Sequence, residues 1–109
     1  MKPLKFTNDL AEKILVGEKD STWRLFDDKN LTVGDELSLV NRDTGQEFAK
    51  AIIISIKEKK MGEIKGSDFS GHEKYKSEEE MYEDFKKYYG DKVTPESVVK
   101  IIRFVLQFK

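Results

Sequence analysis

Residues 47–57 read EFAKAIIISIK. Phe48, Ala49, Ala51, Ile52, Ile53, Ile54 and Ile56 leave its middle apolar on both alternating faces. A strand of that kind is central in its sheet, with something packed on each side. Just upstream, residues 36–40 (ELSLV) alternate, so Leu37 and Leu39 share one face of a half-buried strand. NRDTG, residues 41–45, joins the two runs, and Gly45 is free to take a positive φ. Val33-Gly34-Asp35 marks the turn that opens this hairpin.

Working outward, Phe6-Thr7-Asn8 precedes a short helical pattern with Leu10 and Ile14 on one face. Thr7 or Asn8 is placed to cap it and Gly17 to end it. Residues 22–26 (TWRLF) alternate as a strand, and 27–30 form a loop. Residues 57–71 are polar and glycine-punctuated. A second helix opens at SEEE, residues 77–80, with Ser77 as cap and Glu80 three residues on. Met81, Phe85 and Tyr88 or Tyr89 form its buried stripe, and Gly90 stops it. Thr94-Pro95-Glu96 turns into a last strand from Val98 to Phe108. The predicted order is helix, three strands, helix, strand. That order gives a small α+β fold, and a partly closed barrel would remove its exposed strand edges.

With 109 residues, a single domain spanning 1–109 is expected. Twenty basic residues against 21 acidic ones give a net charge of −1, so any nucleic-acid contact needs a local basic patch. The absence of cysteine excludes disulfides, thiolate zinc sites and cysteine nucleophiles, and it fits a cytoplasmic protein. A single histidine, His72, excludes a multi-histidine metal site. No signal peptide and no membrane span are expected, and neither a metal nor a cofactor is called for.

Three stretches carry chemistry. In GEKDSTWR, residues 17–24, Lys19 and Thr22 can point into one space across a loop. A buried lysine can act as a general base, and a threonine hydroxyl beside it as a nucleophile. Arg24 shares the face of Thr22 and can bind phosphate or carboxylate, while Trp23 turns to the core. The plainer alternative is a solvated Lys19 and a Thr22 that merely favours a strand. GHEKYK, residues 71–76, offers His72, Glu73 and Tyr75, which can titrate or stack on a base. Lys57, Lys59, Lys60 and Lys65 form a ribbon able to touch phosphates, or simply to meet solvent.

In order and spacing, these motifs resemble an ASCH domain. The likeness runs through Gly17-Glu18-Lys19, Thr22-Trp23-Arg24, Val33-Gly34-Asp35 and Phe48-Ala49-Lys50-Ala51. It continues through Gly71-His72-Glu73, residues 77–82 (SEEEMY), Tyr88-Tyr89-Gly90, Val93-Thr94-Pro95 and residues 99–104 (VKIIRF). The resemblance implies a PUA-like, mainly antiparallel β-barrel with two or more flanking helices and a cleft between them that takes RNA or a nucleotide. In that reading Arg24, His72, Tyr75, Lys57, Lys59 and Lys60 meet the ligand, and a monomer is expected. One branch of small members implies an alternative, a metal-independent amidohydrolase that removes the acetyl group from cytidine acetylated on its exocyclic amine. There Lys19 is the proton acceptor, Thr22 the nucleophile, and Glu73 or, failing it, Glu78 the proton donor. The Tyr-Tyr-Gly and Val-Thr-Pro patterns look more like a different ASCH subgroup.

Overall fold

The computed structural model describes residues 1–26, 29–64, 68 and 75–107. In chain order its elements are β1 (Lys2–Phe6), α1 (Asn8–Leu15), β2 (Ser21–Leu25), β3 (Glu36–Asn41), β4 (Glu47–Lys60), a 3-10 turn (Met61–Glu63), α2 (Glu78–Tyr89) and β5 (Val98–Gln107). The strands form one sheet in the order β1-β3-β4-β5-β2. All its pairings are antiparallel except β1 with β3. The result is an α+β architecture, a mixed five-stranded half-barrel carrying two helices.

β4 is the central strand, as its composition requires, pairing Ala51 with Leu37 on one side and with Leu106 on the other. The expectation of cover on both its faces is corrected. Ala51 and Ile53 are fully buried, but Ile54 is 53% exposed. The register shifts between Ile53 and Ser55, a bulge that adds one residue at Ile54. An extra residue inverts the alternation, so Ile56 returns to the core side. Two apolar runs of opposite phase therefore read as one two-faced run. Its neighbour β5 is buried on both faces. Ile102 and Phe104 pack with Ile14 of α1 and with β1, β3 and β4. Val99 and Ile101 pack with Trp23, Met61 and the α2 residues Met81 and Phe85.

β1 is an addition to the predicted order. Leu4 and Phe6 alternate into the core, and Pro3 is tolerated because the strand is an edge. Thr7 occupies the N-cap of α1, but its side chain makes no capping bond. The Asn8 N–H instead donates to the Asp43 carboxylate at 2.8 Å, so the β3–β4 turn caps the helix from outside. In α2 the Ser77 hydroxyl accepts from the Glu80 N–H, as the sequence predicts. Among the described residues, no helix is long and apolar enough to cross a membrane.

Candidate functional site

The loop after α1 builds one wall. Gly17 sits at φ +85°, where a side chain would be strained, and releases the chain from the helix. Lys19 is then carried inward to 3% exposure, and its Nζ donates to the Ser21 carbonyl at 2.7 Å. β2 alternates as expected. Trp23 joins the core against α2, while Thr22 and Arg24 share a face. Thr22 is 4% exposed, and its hydroxyl oxygen accepts from Arg24 Nε at 3.3 Å. The Arg24 guanidinium lies 4.9 Å from the centre of the Phe6 ring and donates to the Lys5 carbonyl at 3.2 Å.

α2 builds the facing wall from aromatic rings. Phe85 stacks on Trp23 at 6.0 Å and on Tyr89 at 6.2 Å between centroids. The Tyr75 hydroxyl donates to Asp84 at 2.9 Å, and the Leu25 N–H donates to the Tyr89 hydroxyl oxygen at 3.3 Å.

Between the end of β1, α1, β2 and α2 lies a cavity of about 540 Å³. Its lining includes the aromatic residues Phe6, Trp23, Tyr75, Phe85, Tyr88 and Tyr89 and the basic residues Lys5, Lys13, Lys19, Arg24 and Arg42. Asp9, Glu80 and Asp84 are its acidic members. Five basic groups against three acidic ones make the cavity locally positive in a chain of net charge −1. Among the described residues, Lys5, Lys13 and Arg42 make no ion pair, and Arg42 lies 5.2 Å from the Tyr88 ring centre.

Of the residues singled out by sequence, Lys19, Thr22, Arg24 and Tyr75 meet at this cavity. His72, Glu73 and Lys65 lie outside the described residues. Glu78 is exposed in the first turn of α2 and does not line the cavity. Of the lysine ribbon, Lys57, Lys59 and Lys60 end β4, and none lines the cavity. Lys57 and Lys59 both bind the buried Asp68 carboxylate, at 3.0 and 2.9 Å. Lys60 pairs with Glu96 at 2.9 Å, and that hydrogen bond raises the lysine above its ordinary pKa.

Sequence reasoning missed Lys5, Lys13, Arg42 and Asp84. Each is an ordinary polar residue in its own element, and only the tertiary fold assembles them. Among the described residues, no group of three or more histidine, aspartate or glutamate side chains is arranged to hold a metal.

No family model matches the chain, nor does any curated protein sequence. Solved structures do match its fold. The hypothetical protein PH0355 superposes with a TM-score of 0.74 at 21% identity, covering 98% of this chain and 100% of that one. An Enterococcus faecalis protein of family-model DUF984 gives 0.76 at 15% identity, over 97% of this chain and 80% of that one. The ASCH domain from Lactobacillus crispatus gives 0.71 at 18% identity, over 91% and 70%. At these identities the likeness is one of architecture, and the chain has the fold of an ASCH domain.

Proposed function

We propose that this chain is an ASCH-type, PUA-like domain that binds single-stranded RNA or a nucleotide unit in the cavity between the half-barrel and its helices. The observation that carries this reading is the pairing of six aromatic side chains with Lys5, Lys13 and Arg42, cations that make no ion pair among the described residues. Bases stack on aromatic faces, and phosphates recruit unpaired cations. Outside the cavity, Lys57, Lys59 and Lys60 are already held by Asp68 and Glu96. Titrating a short single-stranded RNA against the fluorescence of Trp23, the sole tryptophan and part of the cavity wall, tests the reading. Three phosphate contacts give a slope of about −2 for log affinity against log salt. A flat salt dependence, or no binding, sinks the proposal.

A second reading is favoured by one observation, that buried Lys19 and Thr22 line the same cavity. It makes the chain a metal-independent amidohydrolase of cytidine acetylated on its exocyclic amine. Lys19 takes the Thr22 proton, the hydroxyl oxygen attacks the acetyl carbonyl, and Glu73 protonates the departing amine. Water then releases acetate from Thr22. Incubation with the acetylated nucleoside yields free cytidine on this reading, and Thr22→Ala abolishes it. No product, or equal turnover in the variant, removes it.

A further inference from the structure

Glu80, Asp84 and Tyr88 recur every four residues along α2, so they lie on one edge of the helix, and all three line the cavity. The two carboxylates therefore sit in the same wall as the stacking rings. Asp84 is the more closely held of the two. It is half-buried, and the Tyr75 hydroxyl fixes one of its oxygens at 2.9 Å. Tyr75 is itself packed against Trp23 and Phe85, at 6.4 and 6.5 Å between ring centres. A carboxylate has two oxygens and accepts several hydrogen bonds, so Tyr75 does not exhaust it.

An acceptor-only group held at the edge of a stacking surface discriminates between bases by their hydrogen-bonding edges. Cytosine and adenine each present an exocyclic amine that donates to a carboxylate. Uracil presents a carbonyl oxygen at the position of the cytosine amine. A carboxylate facing that carbonyl gains no hydrogen bond and loses its water. Anion repulsion does not exclude the ligand as a whole, because Lys5, Lys13 and Arg42 line the same cavity.

From this placement we infer that the cavity selects amine-bearing bases over uracil, and that Asp84 is the specificity-determining residue. The inference rests on the nucleotide-binding reading above and names the base which that site prefers. The cytosine and uracil pair makes the cleanest comparison. The two rings stack alike, and their Watson–Crick edges differ in donor and acceptor pattern.

The test is a titration of the whole chain with five-nucleotide oligocytidylate and oligouridylate RNA, read by Trp23 fluorescence. Oligocytidylate is expected to bind about tenfold more tightly, the value of one hydrogen bond to a charged group. Asp84→Asn keeps an acceptor for Tyr75 but adds a donor, so it brings the two affinities to within about threefold. Glu80→Gln leaves the preference in place. Equal binding of the two RNAs by the wild type overturns the inference and leaves the binding reading standing. A preference that survives Asp84→Asn, or that disappears in Glu80→Gln instead, overturns the assignment to Asp84. Binding of neither RNA overturns the inference and the binding reading together.

Discussion

Arg24 on β2 donates to the main-chain carbonyl of Lys5 on β1, 3.2 Å away. β1 and β2 are the two outer strands of the sheet, so this one side chain bridges the edges that the half-barrel leaves apart. The bridge is reinforced by the Phe6 ring beneath the guanidinium and by the Arg24 Nε bond to Thr22. An open edge invites pairing with another chain, and a cross-edge tie holds the cavity wall in shape.

Removing the bridge costs stability as well as charge. Arg24→Ala is expected to lower unfolding free energy by about 1–3 kcal/mol, from the lost ring contact and charged hydrogen bonds. Arg24→Lys recovers only part, because an ammonium lacks the planar fork that reaches Thr22 and Lys5 together. Urea denaturation of the three proteins measures this. Equal stability of Arg24→Lys and wild type would mean that charge alone matters.

The Asp43 carboxylate takes the place of the N-cap bond that Thr7 does not make. Asp43→Ala is therefore expected to destabilise the protein by about 1 kcal/mol, whereas Thr7→Ala costs less. Thermal melts of the two variants decide it. A larger loss in Thr7→Ala contradicts the cross-strand cap.

Lys2 and Asp35 tie β1 to the turn before β3 at 2.8 Å. The hydrogen bond from Lys2 holds the Asp35 carboxyl below its ordinary value of 3.8, helped by the Thr32 N–H. A group whose folded pKa is depressed adds stability above its unfolded pKa. That stability disappears as pH falls through the folded value. Lys2→Met should therefore lower stability at neutral pH and narrow the gap to wild type as pH drops below about 4. Denaturation midpoints measured from pH 7 downward give the comparison. A gap independent of pH means that the pair contributes nothing through its charge.

How far the fold was legible follows from where its signals are local. The hairpin of β3 and β4, the Ser77 cap and the β2 alternation each depend on a few neighbouring residues, and each is found. β1 was illegible because its pattern, Leu4 and Phe6 among two lysines and a proline, is short, and its partner β3 is distant and parallel. The site divides in the same way. Lys19, Thr22 and Arg24 share one loop and strand, while Lys13, Arg42 and Asp84 converge only through tertiary packing. The bulge at Ile54 hid the true polarity of β4, and it yields a contrast. Ile53→Ala should cost about 2–5 kcal/mol, and Ile54→Thr no more than about 0.5. Comparable losses at both positions, measured by urea denaturation, would place the bulge elsewhere.

The two groups of lysines separate a binding surface from a structural one. Lys13 lines the cavity and makes no ion pair among the described residues, whereas Lys60 is already neutralised by Glu96. A phosphate at Lys60 would have to displace that carboxylate, so it gains little there. A phosphate at Lys13 displaces only water and counterions. Lys13→Glu is therefore expected to weaken single-stranded RNA binding about tenfold and to flatten its salt slope. Lys60→Glu, with the same change in net charge, should stay within about twofold of wild type. Matching the charge change removes the long-range contribution from the comparison and leaves only position. Equal weakening by both variants would show that RNA senses overall charge rather than the cavity, and a larger effect at Lys60 would move the interface to the end of β4.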